Sequence, residues 1–184
     1  MKNNIFILFV SFAIVLSCNT EPDPYLISKQ SIGLLTDSTQ VKDLKQAFPL
    51  DSIAQNISGD EFANNTSDIN IYDAFGKLSL VLTPSQVLDS TAIIKIVKVL
   101  NENYRTKEGL SSISTFKDVR DNYKIAKIQN SIRSVIVSTK DINAFFVIDK
   151  EELPAELRFD MTLNIDALQI PGEAKIKNFF LQWN

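Results

Sequence analysis

The segments Thr39-Gln-Val-Lys-Asp-Leu-Lys-Gln-Ala-Phe48 and Ser114-Thr-Phe-Lys-Asp-Val-Arg-Asp-Asn-Tyr123 align without a gap, 75 positions apart. In both, apolar residues recur after three and then four positions, which places them on one face of a helix. These apolar residues are Val41, Leu44 and Phe48, and Phe116, Val119 and Tyr123. Thr39 and Ser114 are predicted N-caps, since a hydroxyl can accept a hydrogen bond from a free amide of the first turn. The match predicts an internal repeat, and a chance likeness of two short amphipathic helices is the alternative.

Alternating apolar and polar residues follow each helix and predict antiparallel strands. The predicted strands cover residues 68–73, 77–83, 91–100, 133–139, 144–149, 159–165 and 175–183. Ala74-Phe75-Gly76 is a predicted hairpin turn, and residues 58–67 are a predicted surface loop. Because such short helices are unstable alone, each is expected to lie on a sheet. The predicted class is α+β, with two tandem helix-plus-antiparallel-sheet repeats, residues 30–104 and 105–184, forming one compact unit.

The first 17 residues are typical of a secretory signal, with a positive charge at Lys2 and an apolar run too short to span a bilayer comfortably. The only cysteine, Cys18, follows Leu16-Ser17. Leu-Ser-Cys resembles the lipobox of bacterial lipoproteins, which implies cleavage before Cys18 and lipidation of its sulfur. An uncleaved membrane anchor and a plain signal peptide are the alternatives. Residues 18–29 contain two prolines and few apolar residues and are a predicted tether.

The composition excludes several classes of chemistry. The chain contains no histidine, which removes Ser-His-Asp and Cys-His catalysis and His-ligated zinc. Without Lys2, 18 basic residues stand against 22 acidic ones, a formal charge of −4 with no basic stripe, so nucleic acid is not an expected partner. Asp149-Lys150-Glu151-Glu152 and Gly59-Asp60-Glu61 are acidic clusters, interpreted as solvated turns without calcium-loop spacing. No cofactor, metal site or enzyme activity is predicted, and a carboxylate-based hydrolase is an open alternative.

Two aromatic pairs, Phe145-Phe146 and Phe179-Phe180, lie in predicted strands, where neighbouring side chains point to opposite faces. One member of each pair is expected to pack under a helix and the other to point across the sheet. Trp183 is predicted to share the face of Phe179. These five aromatic residues are the candidate partner face. Either the far face of the sheet is open to a partner, or the two half-sheets cover each other.

Each predicted repeat of about 75 residues contains a strand end with glycine, a capped short helix and an antiparallel sheet. Two such repeats resemble the fold of β-lactamase inhibitor proteins. One copy is similar to the small lipoprotein of the outer-membrane β-barrel assembly machine. The likeness rests mainly on Gly109-Leu110, Ser114-Thr115, Asp118-Val119 and Tyr123. The chain also resembles uncharacterised Bacteroidetes lipoproteins, in which acidic residues such as Glu21 and Asp23 follow the lipidated cysteine. The resemblance spans residues 32–183 and implies a fold and protein binding, but no functional residue.

These observations predict a non-catalytic, lipid-anchored protein of the bacterial outer membrane, facing either the periplasm or the exterior. It is expected to bind another envelope protein through a sheet face. The alternative is a lipoprotein that binds a glycan or a lipid in a pocket between its two half-domains.

Overall fold

A computed structural model describes residues 23–55 and 68–183, and these residues are mostly β-structure. Two α-helices are present in this part of the chain, Leu44–Ala47 (α1) and Phe116–Asn122 (α2). Short 3-10 turns lie at Val41–Asp43, Lys150–Glu152, Ala155–Leu157 and Ala167–Gln169. Helices of four and seven residues beside two sheets make the predicted α+β class wrong. The predicted signal, Cys18 and the whole of the predicted 58–67 loop lie outside the described residues.

The larger sheet has eight antiparallel strands in the spatial order β4-β5-β6-β7-β12-β11-β10-β9. The strands are Ser52–Gln55 (β4), Ile69–Tyr72 (β5), Leu78–Pro84 (β6), Ile94–Val99 (β7), Ile125–Asn130 (β9), Ser134–Thr139 (β10), Ala144–Asp149 (β11) and Ile176–Gln182 (β12).

Strands from the two halves of the chain meet at the centre of this sheet. Phe179 pairs with Val99, and Leu181 pairs with Val97, so β12 hydrogen-bonds to β7. The predicted pair of helix-plus-sheet units is therefore wrong, because the strands that follow the two helices form one continuous sheet. Pairing of β7 with β12 joins residues about 80 positions apart, and no local sequence pattern reports such a contact.

Most predicted strands are confirmed within one to three residues at their ends, but residues 159–165 do not form a strand. Here the Asp160 carboxylate accepts hydrogen bonds from the amide and the hydroxyl of Thr162, which fixes a local turn. The alternation of apolar residues does not correspond to a buried face, since Phe159 is 87% exposed while Ile165 is buried.

A second, small sheet is built from strands of two residues each, in the order β3-β2-β1-β8. Its strands are Leu26–Ile27 (β1), Ser31–Ile32 (β2), Leu35–Thr36 (β3) and Arg105–Thr106 (β8). The side chains of Ile27, Ile32 and Leu35 are buried in the core. The last residues of the predicted 18–29 tether thus belong to the folded part of the chain.

One hydrophobic core lies against a single face of the eight-strand sheet. The predicted helical faces are confirmed, since Leu44, Phe48, Phe116, Val119 and Tyr123 are buried there and Val41 is partly buried. The small sheet and the segment that contains the 3-10 turns near the C-terminus also contribute buried side chains to this core, among them Ile32, Leu157 and Ile170. Leu168, in the last of these turns, is exposed. The helices, the small sheet and these turns therefore all cover the same face of the large sheet.

The predicted N-caps Thr39 and Ser114 are wrong. The amide of Thr36 donates to Thr39 Oγ1 at 2.9 Å, and the amide of Ser111 donates to Ser114 Oγ at 3.1 Å. Each hydroxyl thus closes the turn before its helix instead of capping the helix. The N-cap of α2 is Thr115, whose amide donates to the Asp118 carboxylate at 2.7 Å.

Tyr123 ties the end of α2 to the small sheet. Its hydroxyl lies 2.6 Å from Thr106 Oγ1 and donates to Glu108 Oε2 at 2.6 Å. This hydrogen bond holds the pKa of the Glu108 carboxyl below its ordinary value, while burial raises the pKa of Tyr123. Near neutral pH the Glu108 carboxyl is therefore ionised and the Tyr123 hydroxyl keeps its proton, as this hydrogen bond requires.

Candidate functional site: the open face of the eight-strand sheet

The face of the large sheet opposite the core is the candidate site, and we call it the open face. Strand register places one row of its side chains across six strands, namely Val81, Lys98, Phe180, Phe145, Ser138 and Lys127. Every member of the row is partly or fully exposed. Among residues 23–55 and 68–183, the helices, the small sheet and the C-terminal 3-10 turns contribute their buried side chains to the core on the opposite side. None of these elements therefore covers the row, whose members all keep some exposure.

Two stacked aromatic rings lie at the middle of the open face. The rings of Phe145 and Phe180 have centroids 4.6 Å apart and an interplanar angle of 11°. They are directly opposite each other on the neighbouring strands β11 and β12. Cross-strand aromatic pairs stabilise a sheet, and both rings of this pair remain partly exposed. Val147 and Ile136, which pair on the adjacent row, extend this apolar strip.

Lysine side chains flank the aromatic pair. Lys98 Nζ lies 5.8 Å from the centroid of Phe180, within the range of a cation–π interaction. Lys127 lies at the other end of the same row. Neither ammonium group has a carboxylate within 4.0 Å in the part of the chain that the structure describes. The open face therefore combines an apolar, aromatic centre with positive charge at its sides.

Only two of the five predicted face residues lie on the open face. Phe146 and Phe179 are fully buried on the core side, with ring centroids 4.9 Å apart. Trp183 shares their face, as predicted, and its indole Nε1 donates to the Lys29 carbonyl at 3.1 Å. The prediction that these three residues belong to a partner face is wrong, because the alternation of side chains along the strand places them on the core side.

The alternative in which two half-sheets cover each other is also wrong, since the halves lie side by side in one sheet. Sequence reasoning missed Lys98 and Val81 as neighbours of the aromatic pair. Their position depends on the pairing of β12 with β7 and of β7 with β6. Alternation along each strand assigns a face, but only this cross-strand register brings the residues together.

No family model matches the chain, and no curated protein matches it significantly. The fold is similar to that in the crystal structure of the uncharacterized protein yfeY from Escherichia coli. The TM-score is 0.55, the identity is 16%, and the match covers 85% of this chain and 99% of that chain. At this identity the likeness shows the fold alone. The resemblance to β-lactamase inhibitor proteins and Bacteroidetes lipoproteins stays a prediction.

The carboxylates of the predicted acidic cluster are largely engaged in structural contacts. Asp149 accepts hydrogen bonds from Lys177 Nζ at 2.7 Å and from the Glu151 amide at 3.1 Å, and these lower the pKa of its carboxyl. Glu152 accepts from the Lys175 amide at 3.2 Å. The interpretation as a solvated turn is wrong for Lys150, which is buried. The second cluster, Gly59-Asp60-Glu61, lies outside the described residues.

Two further findings concern membranes and metals. No described helix is both long and apolar enough to span a membrane. In residues 23–55 and 68–183, no three Asp, Glu, Cys or His side chains are grouped so that they could hold a metal ion.

Proposed function

We propose that this protein is a non-catalytic, lipid-anchored component of a bacterial cell envelope that binds another envelope protein through the open face. The observation that carries the proposal is the stacked, partly exposed pair Phe145–Phe180 at the centre of a sheet face that no described element covers. Exposed aromatic clusters with a polar rim are typical of binding hot spots.

The charges on the open face indicate the chemistry of the partner. Lys98 and Lys127 lie on either side of the aromatic pair and have no ion-pair partner among the described residues. A partner that presents an apolar or aromatic side chain with carboxylates beside it would complement this arrangement. The lack of histidine and the engagement of the Asp149 carboxylate support a role in binding instead of catalysis.

The lipid anchor is proposed from Leu16-Ser17-Cys18 and from the position of the first strand. Leu26, the first residue of β1, lies only eight residues after Cys18. At full extension eight residues span about 28 Å, so a lipid on Cys18 would hold the folded domain close to the membrane surface. Lasting attachment requires two or more acyl chains, because one chain binds a bilayer only marginally.

Replacing Cys18 by serine tests the anchor. We expect Cys18→Ser protein to leave the membrane fraction for the soluble fraction, and mass spectrometry of the wild type to find acyl chains on an amino-terminal Cys18. Thr20→Ser, a change near the proposed lipidated residue but outside Leu16-Ser17-Cys18, is the matched control and should stay in the membrane fraction. A wild-type chain with an unmodified Cys18 would remove the anchor from the proposal.

The open face is tested by site-specific photo-crosslinking in intact cells. A photoreactive residue at Ser138, in the central row of the open face, should give one discrete protein adduct. We expect Phe180→Ala to reduce this adduct at least tenfold, since hot-spot aromatics cost about 2 kcal/mol or more when truncated. Lys98→Glu should reduce it as well, because the variant reverses the charge that meets the partner.

Phe75→Ala is the control for this experiment. Phe75 is an equally large aromatic, 96% exposed, in the hairpin turn between β5 and β6. Its removal should leave the adduct unchanged. An adduct that forms equally well in the Phe180→Ala and Lys98→Glu variants would show that contact with Ser138 is incidental and would contradict the proposed face.

A further inference from the structure

A cavity of about 590 Å³ lies beside the β10–β11 hairpin, at one end of the sheet. It is lined by Ile132, Arg133, Asp149, Lys150, Glu151, Arg158, Phe159 and Lys177. All of these residues belong to the second half of the chain, so the cavity is distinct from the predicted pocket between the two halves. Four basic and two acidic side chains give its lining a charge of +2, in a chain whose net charge is −3.

Lys150 is the unusual member of this lining. Its side chain is only 4% exposed, and its Nζ atom is buried without a hydrogen-bond partner in the structure. Taking an ammonium group out of water is costly unless an opposite charge and hydrogen bonds compensate. Lysine is rarely fully buried for this reason. A buried ammonium group without a hydrogen-bond partner, on a residue that lines a cavity, would be stabilised by an anion bound in that cavity.

The described acidic side chains do not supply that anion. Asp149 is paired with Lys177 at 2.7 Å. Asp160 is close enough for the Lys150 charge to contribute to its lowered pKa, yet the main cause is the hydrogen bond from Thr162, and its carboxylate is not within ion-pair distance of Lys150. A water molecule could accept a hydrogen bond from the ammonium group, but it would leave the charge uncompensated.

The backbone holds a second cationic side chain next to Lys150. The Lys150 amide donates to the Arg133 carbonyl at 3.0 Å, so both side chains start from adjacent positions on the β10–β11 hairpin. Arg158 is fixed by hydrogen bonds from Nε to the Leu153 carbonyl at 2.7 Å and from Nη2 to the Glu151 carbonyl at 3.1 Å. Its guanidinium is thus bound to neutral acceptors, and its charge is available to the cavity.

Two exposed apolar side chains complete the lining. Phe159 is 87% exposed and Ile132 is 73% exposed. An aromatic or aliphatic group held between them would remove apolar surface from water. We propose that this cavity binds a small organic anion, in which a phosphate or carboxylate contacts Lys150 and Arg133 and an apolar group contacts Phe159 and Ile132.

Calorimetric titration of the full chain in detergent tests the site with three probes. Phenylphosphate carries both the anion and the apolar group, inorganic phosphate carries the anion alone, and benzyl alcohol carries the ring alone. We expect phenylphosphate to bind at least tenfold more tightly than inorganic phosphate, and benzyl alcohol to show no saturable binding. Phenylphosphate should also raise the melting temperature in a concentration-dependent way.

Two variants locate the binding. Lys150→Met keeps the length of the side chain without its charge, and it should weaken phenylphosphate binding at least tenfold while the melting temperature of the ligand-free protein rises. Arg133→Gln changes an exposed side chain, so it keeps the test valid if Lys150→Met fails to fold, and it should weaken binding at least threefold. Lys77→Met, at an exposed lysine of the β5–β6 hairpin, is the control and should leave phenylphosphate binding unchanged.

The inference is overturned if the wild-type protein fails to bind phenylphosphate or binds benzyl alcohol equally well. It is also overturned if phenylphosphate binding is unchanged in both Lys150→Met and Arg133→Gln.

Discussion

Phe179→Ala is expected to lower the free energy of unfolding by about 3–5 kcal/mol, the usual cost of deleting a fully buried phenylalanine side chain. Phe179 is fully buried and its ring packs against Phe146 with centroids 4.9 Å apart. It also lies on β12, the strand that joins the two halves of the sheet through its pairing with Val99. A cavity at this position would therefore loosen the junction between the halves. Urea and thermal unfolding should show the loss, with a melting temperature lower by about 10 °C.

The next residue in the chain provides the control. Phe180 lies on the same strand but on the open face, where it stacks on Phe145 and is partly exposed. Phe180→Ala should cost about 1 kcal/mol, mainly through loss of this aromatic pair. The two variants separate stability from binding, since the first should unfold more easily and the second should lose the partner. Equal loss of stability from both substitutions would show that the two faces of the sheet are assigned wrongly.

The sequence predicts those features that depend on local periodicity. Spacing of three and four residues identified the buried helical faces, including Leu44 and Val119, and alternation identified most strands of the large sheet. The same alternation predicted a strand at 159–165 that does not exist, because Asp160 and Thr162 form a turn there. Apolar alternation therefore predicts a strand only where local turn chemistry does not compete.

Features that depend on long-range contacts were not predictable from the sequence pattern. The strands of the small sheet have two residues each, which is too short to show a period. The pairing of β7 with β12 is set by the register of distant segments, so the single large sheet and the row from Val81 to Lys127 were missed. The burial of Lys150 does follow a local sequence pattern. Phe146, Ile148 and Lys150 occupy alternate positions, and all three are buried on the core side.

Gly33→Ala is expected to destabilise the docking of the small sheet strongly. Gly33 connects β2 to β3 with φ of +56°, a region that costs an alanine about 1 kcal/mol or more. In addition, a Cβ atom at this position would lie 2.2 Å from the carbonyl oxygen of Pro24. The contact is with backbone, so no side-chain rotation relieves it, and the strand pair must shift. Together we expect a loss of about 2–4 kcal/mol in the free energy of unfolding.

Gly76 separates the two causes, because its φ is +76° but, apart from its own chain neighbours, no described residue has an atom within 4 Å of the position that a Cβ would take. Gly76→Ala should therefore cost only the backbone strain, about 1 kcal/mol.

Trp183, the single tryptophan, reports on the N-terminal segment directly, since its indole Nε1 donates to the Lys29 carbonyl. Displacement of that segment in Gly33→Ala should expose the indole and shift its fluorescence emission to the red, whereas Gly76→Ala should leave the emission unchanged. Equal stability of the two variants with identical emission would mean that the segment before β2 is not held against the fold by the contacts described.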